Sequence, residues 1–323
     1  MAAKSMRALV RAEQESGRKR ARAVVRQRKR AITRRSAVLQ KRQVKARAVE
    51  SSPARGTVEI PRVRIRAAGA AGNAGVIVAE GDSWFDYPGT DVLGILEDDY
   101  AYEVESVAHK GDRIEDMAYG DDQLVELARR LERLLRRQVV PKAILLSGGG
   151  NDIAGAEFGV LLNHQRSGIP GLNQRIIEGI IDERLRLSYV RIISEVTTVC
   201  EECVDRRIPI VVHGYDHPVP DGRGFFGGWF FLPGPWLEPG FRAKGFSELS
   251  ERTTLMRTLI DRFNVMLQDV VGLPGFGHVK YLNLRGTLTT GAGYKRAWAN
   301  ELHPTKDGFQ AVTKKFAALL ERL

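Results

Sequence analysis

The sequence is poor in cysteine and lacks an apolar segment long enough to span a membrane as a helix. Its 323 residues include only Cys200 and Cys203, and no stretch approaches the roughly 18 uninterrupted apolar residues that a spanning helix needs. The two cysteines form a C-x-x-C pair late in a predicted helix, with no second pair to complete a zinc site. We therefore expect structural or incidental thiols, no metal and no organic cofactor.

The first thirty residues also lack the apolar core of a secretory signal peptide, so a cytoplasmic location is expected. Charge is unevenly divided, because residues 1–50 hold 17 Lys and Arg against three Glu, while the remainder holds 33 basic and 36 acidic residues. Residues 1–56 are predicted to form a basic arm, helical or disordered, and a linker. Its charge could bind nucleic-acid phosphates or an anionic membrane surface, or it could simply be solvated.

Residues 57–323 are predicted to form one α/β domain. Short apolar runs predict strands at 76–79, 102–107, 143–146, 208–212 and 279–284. Helical spacing of apolar residues lies between them, for example in the leucines from Leu124 to Leu135. Strands that alternate with helices predict a three-layer α/β/α fold with a five-stranded, mostly parallel sheet. A ligand site is expected at the carboxyl ends of the strands.

Four short blocks stand where strands end or helices begin. They are Gly81-Asp82-Ser83-Trp84, Gly111 within His109-Lys110-Gly111-Asp112, Gly149-Gly150-Asn151-Asp152, and Asn300-Glu301-Leu302-His303-Pro304. Each alone could be a turn or a helix cap. Together, in this order, they resemble the signature blocks of the SGNH/GDSL hydrolase family, and the resemblance spans about Val76 to Leu323.

The resemblance implies a flavodoxin-like fold and a serine esterase or lipase that works through an acyl-enzyme. It implies that Ser83 is the nucleophile and that His303 is its base, which a serine hydroxyl requires. It also implies an oxyanion hole, the group of donors that stabilises the negative charge of the transition state. Its donors would be the backbone N–H groups of Ser83 and Gly111 and the side chain of Asn151.

One position departs from the family pattern, because Asn300 stands where the triad acid is expected. An amide can orient a histidine, but it does not offset the charge of an imidazolium. In serine proteases the change from Asp to Asn lowers turnover about 10⁴-fold through the wrong histidine tautomer. Three outcomes stay open: Asn300 orients His303 in a weakened triad, another carboxylate such as Glu301 substitutes, or the enzyme is slow.

Residues 214–246 form an aromatic insertion, with nine of the chain's 24 aromatic residues in 33 positions. After the fourth strand it is expected at the active-site end of the sheet. It could be a lid or an acyl-binding wall, or its rings could only pack the loop onto the domain. A lid would favour lipid or acyl esters over small sugar acetates. Trp84, Trp229 and Trp236 are the predicted substrate-binding residues.

A second hypothesis is a non-catalytic or weakly active binding protein on a degenerate hydrolase fold. In that case Asn300 marks lost chemistry, and the basic arm binds nucleic acid or an anionic membrane. The presence of Ser83, Asn151 and His303 argues for the enzyme, whose substrate would be a small-molecule or lipid ester.

Overall fold

The computed structural model describes residues 5–50, 73–120, 122–155, 157–225 and 233–323, with residues 42–50 and Leu135 described by their backbone alone. The predicted linker around residues 51–56 and the predicted site residue Trp229 lie outside the described residues.

A five-stranded sheet forms the centre of the fold. Its strands are β1 (Gly75–Glu80), β2 (Tyr102–Ser106), β3 (Ala143–Leu146), β6 (Ile210–Gly214) and β7 (Val279–Asn283). They lie in the order β2-β1-β3-β6-β7, and all four neighbouring pairs are parallel. A separate antiparallel pair consists of β4 (Leu162–Asn163) and β5 (Gly171–Leu172). The predicted five-stranded sheet is confirmed.

Helices cover both faces of the sheet. They are α1 (Met6–Glu50), α2 (Val92–Tyr100), α3 (Ile114–Tyr119), α4 (Asp122–Arg136), α5 (Gln174–Ile177), α6 (Arg186–Val204), α7 (Glu238–Ala243), α8 (Leu249–Val271) and α9 (Lys306–Leu320). A π-helical turn (Glu178–Leu185) joins α5 to α6. In one layer α2 packs against α9, and in the other α6 lies between α4 and α8. The fold is therefore the predicted three-layer α/β/α arrangement.

The helix α2, which was not predicted from the sequence, follows the turn that contains Ser83. Asp91 caps α2, because its side chain accepts a hydrogen bond from the backbone N–H of Gly94 at 2.8 Å. The helix thus begins at Val92, and Ser83 lies in a separate turn between β1 and α2. Ser83 therefore lies in a turn that leads from a strand to a helix, which agrees with the expected position of its block.

The basic arm is helical and its first half packs on the domain. Gly17, Ala21 and Val25 are buried at the contact between α1 and α6. A Cβ atom on Gly17 would lie 2.9 Å from the carbonyl oxygen of Arg191, so glycine permits this close approach of the two helices. None of the helices in the described residues is long and apolar enough to cross a membrane.

Glu80 is a buried carboxyl group at the end of β1. It is 1% exposed, and its Oε1 has no hydrogen-bond partner among the described residues. Burial, reinforced by the negative charge of Asp112, raises the pKa of Glu80 to about 8. The protonated form therefore dominates in the folded chain at neutral pH, whereas the unfolded chain ionises near the ordinary pKa of 4.5.

We predict that Glu80→Gln stabilises the protein in a pH-dependent way. The cost of keeping Glu80 protonated is absent below pH 4.5, grows as pH rises, and levels off above pH 8. At pH 8 the variant should gain about 3–5 kcal/mol in free energy of unfolding, and the gain should shrink toward pH 5. Urea titrations at several pH values measure it, with the exposed Glu183→Gln as control. An equal gain at every pH would contradict the assignment.

Candidate active site

The four sequence blocks meet at the carboxyl edge of the sheet, as the parallel strands require. Ser83, Gly111, Asn151 and His303 line a common cleft of about 400 Å³. Gly111 has a φ angle of +90°, a conformation that glycine adopts without strain. The blocks that the sequence singled out are thus brought together around one cavity.

Ser83, His303 and Asn300 form a hydrogen-bonded chain. Oγ of Ser83 lies 2.7 Å from Nε2 of His303, and Nδ1 of His303 lies 3.0 Å from Oδ1 of Asn300. His303 is 6% exposed and Asn300 is 1% exposed. The geometry is that of a nucleophile, a base and a group that orients the base.

The hydrogen bonds of Asn300 determine the tautomer of His303. Oδ1 of Asn300 also accepts hydrogen bonds from the backbone N–H groups of Leu302 and His303, both at 2.9 Å. Because those groups only donate, the amide atom that faces them must be the oxygen. Nδ1 of His303 must then carry the proton, and Nε2 presents its lone pair to Ser83. On its other side, Nδ2 of Asn300 donates to the hydroxyl of Tyr87 at 3.2 Å.

His303 lies in an apolar, aromatic environment. The ring of Tyr87 stacks on it with centroids 4.4 Å apart, and Trp236 meets it edge-on at 5.7 Å. Burial lowers the pKa of His303 to about 3. Among the described residues no carboxylate forms an ion pair with this imidazole, so nothing offsets the cost of charging it.

Glu301 does not replace the missing triad acid. Its carboxylate accepts hydrogen bonds of 2.7–3.0 Å from the backbone N–H groups of Gly222, Trp236, Leu237 and Glu238. These donors lie within the aromatic insertion, in two segments separated along the chain. Glu301 thus anchors the insertion beside His303, and Asn300 alone orients the ring.

The third sequence block, Gly149–Asp152, forms hydrogen bonds that position the second block, His109–Asp112, and the start of α3. Asp152 accepts hydrogen bonds from the backbone N–H groups of Ile114 and Glu115 at the start of α3, at 2.9 and 3.3 Å. Asn151 donates through Nδ2 to the carbonyl of Asp112 at 3.0 Å. An amide nitrogen carries two hydrogens, so this bond leaves one for a ligand in the cleft.

A buried polar hub under the nucleophile turn was not predicted from the sequence. Asp82 accepts hydrogen bonds from the backbone of Trp84 at 3.0 Å, from Ser147 at 2.8 Å and from the hydroxyl of Tyr215. Tyr215 also accepts a bond from the backbone N–H of Gly150 at 3.4 Å. Burial raises the pKa of Asp82, although these donors oppose the shift. The hub joins the ends of β1, β3 and β6.

The predicted substrate-binding tryptophans differ in position. Trp236 lines the 400 Å³ cleft. Trp84 is 3% exposed and its indole donates to the carbonyl of Leu302 at 3.1 Å. It lines a second, smaller cavity of about 50 Å³. The two cavities share Ser83, Asn151, Leu302 and His303, so they adjoin at the candidate catalytic residues.

The solved structures that resemble this chain are hydrolases and esterases of low sequence identity. No protein-family profile and no curated protein matches the chain. Among solved structures, an α/β hydrolase from the metagenome of Lake Arreo is 14% identical, with a TM-score of 0.41 over 77% of this chain and 95% of its own. A mutant acetylxylan esterase from Geobacillus stearothermophilus is 14% identical, with a TM-score of 0.39 over the same shares. A candidate SGNH hydrolase from Slackia heliotrinireducens is 12% identical, with a TM-score of 0.42 over 76% of this chain and 98% of its own.

The chain resembles SGNH/GDSL hydrolases in its four blocks and in their order around the parallel sheet. All three TM-scores are below 0.5.

We predict that the imidazole of His303 carries its proton on Nδ1 and remains neutral down to about pH 4. Asn300→Asp should raise the pKa of His303 by about 1–3 units, because an adjacent carboxylate stabilises the imidazolium. NMR titration of the ring nitrogens in ¹⁵N-histidine-labelled protein measures the tautomer and the pKa. The exposed Asn73→Asp is the control and should leave the titration unchanged. A proton on Nε2 in the wild-type chain would contradict the orientation of Asn300.

Proposed function

We propose that this chain is an SGNH-type serine hydrolase that cleaves carboxylic esters through an acyl-enzyme. The observation that carries the proposal is the 2.7 Å contact between Oγ of Ser83 and Nε2 of His303. Asn300 holds that nitrogen as the acceptor. A serine hydroxyl needs such a base to become a nucleophile.

In the proposed reaction, Oγ of Ser83 attacks the ester carbonyl carbon while Nε2 of His303 takes the hydroxyl proton. The oxyanion is stabilised by the backbone N–H groups of Ser83 and Gly111 and by the amide of Asn151. His303 then gives its proton to the departing alcohol. A water molecule, deprotonated by the same nitrogen, attacks the acyl carbon. The bond to Oγ of Ser83 breaks, His303 returns the proton to Oγ, and the carboxylic acid is released.

Asn300 gives this mechanism a correct tautomer without a negative charge. The serine-protease variant with Asn in place of Asp loses about 10⁴ in turnover because its histidine is in the wrong tautomer. Here two backbone N–H groups fix the amide oxygen toward His303, so this loss is avoided. The remaining loss is electrostatic, since the imidazolium forms without a counter-ion. We therefore propose an active enzyme that is slower than one with a carboxylate triad.

The two cavities favour a short acyl group and a larger alcohol. The cavity of about 50 Å³ behind Ser83 is lined largely by apolar side chains, among them Met256, Ile260 and Phe263. It has room for about three to five water-sized groups, which fits acyl chains of two to four carbons. The wider cleft beside Tyr87 and Trp236 then holds the alcohol. The small size of the acyl cavity favours short-chain esters over the lipid esters that the aromatic insertion alone suggested.

Active-site labelling tests the enzymatic proposal. A fluorophosphonate probe should label the folded wild-type chain at Ser83, with the site read by peptide mass spectrometry, because the probe reacts with serines activated by a base. Ser83→Ala should abolish labelling and ester turnover, while the exposed Ser167→Ala should retain both. If the folded wild-type chain neither labels nor hydrolyses any ester, the non-catalytic binding protein becomes the better hypothesis.

Chain-length preference tests the acyl cavity. For p-nitrophenyl esters, kcat/KM should fall about 5- to 150-fold from butyrate to octanoate, since forcing extra methylenes into a packed site costs about 1–3 kcal/mol. Met256→Ala enlarges the small cavity and should shift the preference toward longer chains. Trp236→Ala alters the alcohol side and a ring contact of His303 but not the small cavity, so it can lower the rate but should leave the chain-length preference unchanged. Equal wild-type activity on acetate and octanoate would rule out this use of the cavity.

A further inference from the structure

The cations of α1 fall into two groups that face opposite sides of the helix. One group faces the domain and is neutralised there. Arg20 pairs with Glu195 at 3.0 Å, and Arg28 pairs with Glu132 through a short contact. Both arginine side chains are less than a fifth exposed. These two ion pairs attach α1 to α6 and α4, so the two arginines are not available to a partner.

The second group faces solvent. It consists of Arg7, Arg11, Arg18, Lys19, Arg22, Arg26, Arg30, Arg34 and Lys41. Lys29 and Arg35 are also exposed, but they pair with Glu202 and Glu132 of the domain at 3.5 and 3.6 Å. Arg22 lies at the edge of the group, 3.9 Å from Glu202. Between residues 5 and 41 the only exposed acidic residue is Glu15. Within the part of the chain that the structure describes, Arg11, Arg18 and Arg26 have no ion-pair partner. We call this group the outer basic face.

The outer basic face is long and regular. Arg11, Arg18, Arg22 and Arg26 recur at intervals of seven and four residues, so they lie along one side of the helix. At 1.5 Å of rise per residue, Arg11 and Lys41 are about 45 Å apart along the axis. A double-stranded nucleic acid presents a comparable line of charge, with about one phosphate per 1.7 Å of its axis.

We propose that the outer basic face binds the phosphate backbone of double-stranded nucleic acid, without sequence specificity. The inference is independent of the proposed ester hydrolysis, because the face lies on α1 and shares no residue with the cleft. Residues 1–50 contain no aromatic side chain, and single-strand binding relies on stacking bases against such rings. Charge without stacking groups therefore favours a duplex.

The packing of α1 argues against a membrane as the partner. A helix that lies on a bilayer buries an apolar face between the lipid headgroups. In α1 the apolar residues Val10, Ala21 and Val25 are already buried against the domain. Among the described side chains of the helix, Val38 and Leu39 are the only large exposed apolar ones, and two adjacent residues do not form a stripe.

Binding of the full chain to a short fluorescein-labelled duplex DNA of mixed sequence, followed by fluorescence anisotropy, tests the proposal. Affinity should fall by about 10³-fold or more between roughly 50 and 200 mM salt, as for six or more phosphate contacts. The variant with Arg11→Gln, Arg18→Gln, Arg22→Gln and Arg26→Gln should lose about 3–4 units of the slope of log K against log salt. Circular dichroism verifies that its helix content is unchanged.

The matched control removes the same charge from other surfaces through Arg257→Gln, Arg296→Gln, Lys314→Gln and Arg322→Gln. It should keep the wild-type affinity and slope. An equal loss in the control would show that net charge alone is responsible and would overturn the assignment to α1. Absence of duplex binding at low salt would overturn it too. So would tighter binding to phosphatidylserine vesicles than to the duplex, which would identify a membrane surface instead.

Discussion

Three N–H groups converge on the side-chain oxygen of Asn300, and the geometry of the whole site depends on that convergence. Two come from the backbone of Leu302 and His303, and the third is Nδ1–H of the imidazole. Rotating the amide would set its NH₂ group against the two backbone donors, which costs at least one buried hydrogen bond. The loop therefore fixes the amide, the amide fixes the imidazole, and the imidazole presents its lone pair to Ser83. A neutral residue performs the orienting part of a triad acid without its charge.

The hub at Asp82 performs a similar task on the other side of Ser83. Its carboxylate accepts hydrogen bonds from the hydroxyl groups of Ser147 and Tyr215, which follow β3 and β6 along the chain. Because the hydroxyl of Tyr215 also accepts a hydrogen bond from the backbone N–H of Gly150, the turn that bears Ser83 and the loop that bears Asn151 share one buried group. The distance between nucleophile and proposed oxyanion donor is thus set by packed polar groups on rigid strand ends rather than by flexible loops, which favours preorganisation.

The strands could be predicted from local sequence patterns, whereas features that depend on contacts between distant residues could not. The strands at 143–146 and 279–283 follow from short apolar runs, and the order of the four blocks placed Ser83 and His303 at one edge. The hydrogen bonds of Asp82 with Ser147 and Tyr215, 65 and 133 positions away, could not be predicted because no motif in the sequence marks those two residues as its partners. The packing of α1 on the domain was not predicted. Its many cations indicate a solvated helix, and the residues that contact α6, such as Gly17 and Ala21, are too small to form a clear apolar stripe in the sequence. Trp84, predicted to bind substrate, is mostly buried under the site.

The hydrogen bonds of Glu301 explain both the position of the aromatic insertion and the low pKa of His303. Glu301 is the buried carboxylate nearest to His303 in sequence, yet its oxygens accept four backbone N–H groups of the insertion. That anchor holds Trp236 against the imidazole. The same enclosure removes the water that would stabilise an imidazolium, and so the pKa of His303 falls to about 3. A base works best when its pKa is near the working pH. Turning Glu301 toward His303 would raise that pKa, but it would leave the backbone donors of the insertion without a partner. The wall that forms the cleft therefore keeps His303 a weak base.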